Sequence, residues 1–215
     1  NGKGFNQTND LWPDGKGGVY FTDPKYGSDE NEIPHDLSLA LGSAEVSPLQ
    51  QARGYAVLAN GGYLIEPYVI ERIEDADGTV LYEADPVVAC VPCVLSDRRS
   101  RQAPGMETED PLGRLPKQAE QTLEPRLTYQ MDSILRDVIQ KGTGQRARSL
   151  GRGDLAGKTG TTNDQRDAWF NGFNQHLVAN AWVGFDDNNK LGRGEVGGKA
   201  ALPAWMDFMR VALDG

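Results

Sequence analysis

The chain is poor in metal and redox ligands. Its 215 residues include two cysteines and two histidines. Cys90 and Cys93 are spaced Cys-x-x-Cys, but one such pair cannot complete a four-thiolate zinc site and no His-x-His partner lies near it. A redox dithiol wants a helix start after its first cysteine, which Pro92 in a valine-rich stretch is not expected to supply. In an oxidising compartment the pair can close a small disulfide of structural or incidental role. His35 and His176 stand alone, so neither a metal site nor a cofactor is expected. Long apolar runs are missing as well: none approaches the ~18 residues a membrane-spanning helix needs. No charged-then-apolar leader opens the chain, so targeting is expected to come from sequence outside these residues. Positive charge is scarce. Acidic residues outnumber basic ones 31 to 22, for a net charge of −9, which argues against non-specific nucleic-acid binding. The basic charge that gathers locally, at Arg146, Arg148, Arg152 and Lys158, is either an attractor for an anionic peptide terminus or a solvated turn.

What the chain does have is Gly157-Lys158-Thr159-Gly160-Thr161-Thr162-Asn163. A cation, three hydroxyls and two glycines fall within seven residues. An alternating apolar run follows through Ala168, Phe170 and Gly172, then Leu177 to Phe185, and reads as two strands joined by a tight turn at Asn174-Gln175. The motif therefore opens a strand. Glycines let another backbone approach closely, so an edge strand here could accept an extended peptide. Lys158 brings positive charge to that groove. Thr159 and Thr161 lie two apart, on one face, and can offer hydroxyls to a single carboxylate. A phosphate-binding loop is excluded by context. Its first glycine would fall on Arg152, and it would open a helix rather than a strand. The plain alternative is a glycine-rich turn with a surface lysine, since Lys-Thr-Gly alone is a weak signal.

Elsewhere, Phe5 to Trp12, Asp14 to Gly18 and Val19 to Pro24 read as strand, glycine turn, strand. Ser47-Pro48 starts a helix that runs through Gln51, Tyr55 and Leu58 to a stop at Gly61-Gly62. Tyr68–Glu74 and Val80–Tyr82 form a hairpin around Asp75 to Gly78. Residues 95–122 are polar and proline-rich, a linker or disordered insertion. Thr128 to Lys141 carries the stripe Met131, Ile134, Leu135, Val138 and Ile139 and ends at Gly142. Gly142-Thr143-Gly144 and Gly151-Arg152-Gly153 are turns leading to the motif, and Pro203 to Leu213 is a last helix with Trp205, Phe208, Met209 and Leu213 inward. Helices flanking an antiparallel sheet make an α+β domain.

The longer string Gly157 to Phe173, with Trp182-Val183-Gly184-Phe185-Asp186-Asp187, resembles the transpeptidase domain of class A penicillin-binding proteins. The resemblance extends to Leu37–Ser43, Tyr55–Tyr63 and Pro67–Ile70, and covers about Lys25 to Gly215. Residues 1–24 instead resemble a hairpin of a gluconolactonase-like β-propeller, a foreign or misplaced piece in this setting. The division it gives is the hairpin over 1–24, a first transpeptidase segment over 25–94, a linker over 95–122, and a second transpeptidase segment with the Lys-Thr-Gly strand over 123–215. The resemblance implies the penicillin-binding/β-lactamase-like transpeptidase fold, incomplete here, with a mixed sheet and helices on both faces. It implies serine acyl transfer on the D-Ala-D-Ala end of a peptidoglycan stem peptide, and β-lactams as ligands. Lys158 would polarise the hydroxyls around the nucleophile, and the Thr161 amide would form half of the oxyanion hole. Thr159, Gly160, Thr161 and Thr162 would bind the peptide. It further implies a glycosyltransferase domain and membrane anchor elsewhere in the same protein, no nucleic-acid partner, and a place on the periplasmic side of the bacterial inner membrane.

One departure is decisive for activity. None of Ser28, Ser38, Ser43, Ser47, Ser96, Ser100, Ser133 and Ser149 is followed three residues on by lysine, and no Ser-x-Asn triplet occurs. The 215 residues on their own are therefore expected to be catalytically silent. A β-lactamase or carboxypeptidase, a non-catalytic peptide-binding module and, from residues 1–24 alone, a propeller lactonase are the competing functions.

Overall fold

The computed structural model describes residues 12–13, 19–20, 46–93 and 116–213. β1 (Trp12–Pro13) and β2 (Val19–Tyr20) pair antiparallel, Trp12 opposite Tyr20, as the strand, turn and strand pattern predicts. The first helix, α1 (Pro48–Ala59), begins where Ser-Pro places it. Ser47 Oγ accepts the Gln50 amide at 3.2 Å, and Gln50 Oε1 accepts the Ser47 amide at 2.7 Å, so two otherwise unpaired donors are satisfied reciprocally. At its other end the Gly62 amide donates to Val57 O, and the Asn60 side chain brackets the backbone of Tyr63. Arg53 is buried. Burial lowers its guanidinium pKa, and Glu66, with which it pairs, partly offsets the shift.

β3 (Tyr63–Leu64) pairs with β6 (Glu120–Gln121), which corrects the extent of the linker. Residues 116–122 belong to the fold: Lys117 pairs with Asp85 at 2.9 Å, Gln118 bridges Val88, Ala119 is buried and the Thr122 amide donates to Gly62 O. A short polar strand held by backbone hydrogen bonds leaves no apolar period to read. The rest of the proposed linker, residues 95–115, lies outside the described residues. β4 (Arg72–Glu74) and β5 (Val80–Glu83) form the expected hairpin, with Asp75 Oδ1 accepting the amides of Asp77 and Thr79. Its first strand starts at Arg72, not Tyr68, because Tyr68 to Ile70 meet no partner strand among the described residues.

α2 (Pro125–Gln140) starts earlier than the apolar stripe suggests, with proline in its first turn. It buries Thr128, Met131, Leu135 and Ile139, whereas Ile134 is exposed. At 100° per residue Ile134 falls off the line that the other four make. The main sheet has the order β7 (Ala156–Thr161), β8 (Asp167–Phe173), β9 (Val178–Gly184), antiparallel throughout. The mixed sheet that the resemblance implies is thus antiparallel among the described residues, since short turns can join only antiparallel neighbours. On one face Ala156 and Phe173 pack with Tyr55 of α1 and Leu135 of α2. On the other, Phe170 packs against Trp205 at 4.8 Å between ring centroids, with α3 (Gly197–Ala200) and α4 (Leu202–Ala212) above it. α4 buries Trp205, Met206 and Met209 but leaves Phe208 exposed, contrary to the sequence expectation. Helices on both faces of an antiparallel sheet make the domain α+β.

Candidate functional site

The motif occupies an edge of the main sheet. β7 pairs with β8 on one side and with no strand on the other among the described residues. Along it Lys158 and Gly160 share one face, and Thr159 and Thr161 share the opposite one. The Lys158 cross-strand row continues through Asn171 and Asn180; the Thr159 row runs through Phe170 to Ala181. Glycine at 157 is required by packing, because a Cβ there would stand 2.7 Å from Asn171 O and 3.0 Å from the Phe170 ring.

Both threonine hydroxyls already have a protein partner. Thr161 Oγ1 accepts the Gly197 amide at 3.1 Å, which leaves its own proton to donate. Thr159, only 8% exposed, lies 2.8 Å from Thr143 Oγ1. Lys158 is half-buried, and its Nζ donates to Thr159 O at 2.8 Å. Gly160 is buried beneath Gly197, where an added Cβ would meet Trp169 O at 2.3 Å and Gly160 O at 2.5 Å. Thr162 departs from its expected role in binding peptide. It is buried, and its hydroxyl accepts the Asp167 amide at 2.7 Å and the Arg166 amide at 3.1 Å. That hydroxyl closes the β7–β8 turn.

The turn is fixed to its surroundings. Asp164 and Gln165 both have positive φ, +64° and +57°, a costly conformation for non-glycine residues. Gln165 O accepts the Leu191 amide at 2.8 Å, Gln165 Oε1 accepts the Gly194 amide at 2.7 Å, and Arg166 reaches Asn188 O. Asp167 Oδ1 accepts Trp182 Nε1 at 2.9 Å. At the start of the strand Arg152 grips Asp154 with two hydrogen bonds, 2.9 and 2.7 Å, and Asn174 Nδ2 adds a third at 3.1 Å. The Arg152 bonds, and after them Asn174, hold the Asp154 carboxyl below its ordinary pKa against an opposing effect of burial. Arg152 is therefore committed to a structural pair, while Arg146 and Arg148 are exposed. Of the residues expected in a site, the structure groups Lys158, Thr159, Gly160 and Thr161. Sequence reasoning places Thr143 only within a turn and gives Gly197 no role; the Gly-Thr-Gly and Gly-Gly strings are their only signals.

Cys90 and Cys93 are joined in a disulfide. Three polar atoms on the Lys158 face of the sheet, Trp169 Nε1, Asn171 Oδ1 and Asn180 Oδ1, are buried and find no hydrogen-bond partner among the described residues.

A family model described as the penicillin binding protein transpeptidase domain matches residues 15–192. The matched span begins ahead of the start near Lys25 read from the motifs, and includes β2. Penicillin-binding protein 1A of Pseudomonas aeruginosa is 45% identical over 208 residues, covering 88% of this chain and 25% of that protein. Penicillin-binding protein 1A of Neisseria lactamica is 41% identical over 191 residues, covering 89% and 21%. Among solved structures, penicillin-binding protein 1A from Haemophilus influenzae superposes with a TM-score of 0.70 at 40% identity, over 82% of this chain and 28% of that one. The penicillin-binding protein PonA1 from Mycobacterium tuberculosis gives 0.63 at 22% identity, a likeness of fold. The chain spans about a quarter of the length of the curated relatives it matches.

Proposed function

From the premise that this chain belongs to the penicillin-binding protein transpeptidase family, in its class A form, we propose that it supplies the substrate-binding strand of a serine D,D-transpeptidase. The enzyme so formed cross-links peptidoglycan and is acylated by β-lactams. The observation that carries this reading is the edge strand β7, which carries Lys158, Thr159 and Thr161 and has no partner strand on its outer side among the described residues, with the Thr161 hydroxyl free to donate. A stem peptide lies along that edge, and its terminal carboxylate accepts hydrogen bonds from the hydroxyls of Thr159 and Thr161. A serine from a segment outside these residues attacks the penultimate D-alanine carbonyl. A serine ester forms, the amide C–N bond breaks, and D-alanine leaves with the proton. An amine from a second peptide then forms the new amide and returns the proton to the serine oxygen. The Thr161 amide stabilises the oxyanion in both steps, and Lys158 holds the nucleophile's hydroxyl network in a positive field. A glycosyltransferase domain and membrane anchor in the same protein, and a site on the periplasmic side of the inner membrane, complete the proposal. The Cys90–Cys93 disulfide fits such an oxidising compartment.

The test is intact mass spectrometry with benzylpenicillin. The 215-residue chain alone is expected to stay unmodified, and a mixture with a fragment carrying Ser-x-x-Lys is expected to gain one penicilloyl adduct on that fragment. An adduct on the chain alone would place the nucleophile among its own serines. A mixture that binds together yet gains no adduct would remove the transpeptidase reading.

A further inference from the structure

The Thr143–Thr159 contact bears on how the proposed site recognises an anion. A hydroxyl has one proton and two acceptor lone pairs. Two hydroxyls 2.8 Å apart share one proton, and its direction decides what Thr159 offers a ligand. If Thr159 donates to Thr143, it presents only lone pairs, which repel a carboxylate. If Thr143 donates to Thr159, the Thr159 proton is free for the ligand. At Thr161 the choice is already made, because the Gly197 amide can only donate. An approaching carboxylate selects the second arrangement at Thr159, and both threonines then donate together.

We propose that Thr143 is a positioning residue: when a peptide carboxylate turns the Thr159 proton outward, the Thr143 hydroxyl donates to Thr159 in its place and strengthens Thr159 as a donor. This rests on the reading of β7 as a carboxylate-binding strand. The backbone around Thr143 is held from both sides. The Gly144 amide donates to Val138 O at 3.0 Å. Gly144 is buried, and a Cβ there would lie 3.4 Å from both Ile139 and Phe170. On the far side, an added Cβ at Gly198 would be 3.2 Å from Thr143 O. Thr143 itself is exposed, so it stands at the rim between solvent and the nearly buried Thr159.

The test is an NMR titration of the isotope-labelled chain, following the amides of Thr159, Thr161 and Gly197. One probe is an N-acylated peptide ending in D-Ala-D-Ala, and the other is the same peptide with a C-terminal amide. The wild type is expected to bind the carboxylate form more tightly. Thr143→Val should weaken the carboxylate form about twofold, the loss of the cooperative part of the hydrogen-bond chain, and leave the amide form unchanged. Thr143→Ser should restore the preference. A purely structural role would weaken both peptides equally. If Thr143→Val keeps the wild-type preference for carboxylate, or loses both ligands alike, the assignment to Thr143 falls alone. If the wild type shows no preference, the carboxylate reading of β7 falls and the assignment falls with it.

Discussion

Asp154 shows how one residue anchors the motif strand. Its carboxylate is bound by Arg152 from two residues before it and by Asn174 from the β8–β9 turn. The strand's entry is thereby tied to the far end of its neighbour, four residues ahead of Lys158. Because the folded carboxyl titrates below its ordinary value, the folded chain holds fewer protons there than the unfolded one. The stabilisation is complete above the unfolded value, about 3.9, and is lost as pH falls through the lower folded value. Asp154→Asn should abolish this share of the acid sensitivity. In thermal melts from about pH 6 down to about pH 3, the wild-type midpoint is expected to fall more steeply below about pH 4 than that of the variant. Parallel curves would mean that Asp154 contributes nothing to acid stability. Thr162 makes a related point. A sequence can place a hydroxyl beside a binding motif, but only the turn geometry shows that its oxygen is taken up by the amides of Arg166 and Asp167.

At the scale of elements, α1 is the most legible in the sequence, because its signals are local. Ser47, Pro48 and the Gly61-Gly62 stop act within one turn of the backbone they cap. Ser47→Ala removes the oxygen that accepts the Gln50 amide, and should cost about 1 kcal/mol in urea unfolding. An unchanged midpoint would show the cap to be idle. The same locality makes the α2 stripe and the β7 to β9 alternation readable, together with the edge position of Lys158, Thr159, Gly160 and Thr161. What stays hidden depends on distant partners. β6 exists because Tyr63 and Leu64 offer it a backbone ladder, and nothing within Glu120–Gln121 announces that. Ile134 and Phe208 have apolar side chains on helices of the right period, yet both are exposed. Only the placement of neighbouring elements decides which apolar residue of a helix turns inward. The contact of Thr143 with Thr159 escapes notice for the same reason: its two residues are sixteen positions apart in sequence.

Over the whole molecule, packing and recognition meet at Gly197. Trp205 anchors α4 on the sheet through Phe170 and through a hydrogen bond from its Nε1 to Ala179 O at 3.0 Å. α3 precedes α4 directly and brings the Gly197 backbone down onto Gly160 and Trp169. The same peptide unit donates to the Thr161 hydroxyl. The helical layer that buries the second face of the sheet thus also sets the polarity of the Thr161 hydroxyl, the group proposed to bind a peptide carboxylate. Gly197→Ala tests this coupling. Its Cβ would fall 2.3 Å from Trp169 O and 2.5 Å from Gly160 O, both backbone atoms of paired strands that cannot swing aside. Either the helical layer lifts or the sheet distorts, at a cost of about 1–3 kcal/mol for overpacking. Urea unfolding should report that loss. The titration with the D-Ala-D-Ala peptide should show weakened carboxylate preference even at urea-free, fully folded conditions, because the amide is displaced from Thr161. A Phe208→Ser control on the exposed side of α4 should leave the peptide preference unaltered. Wild-type stability and wild-type preference together in Gly197→Ala would mean that helical layer and site are independent, and would refute the coupling.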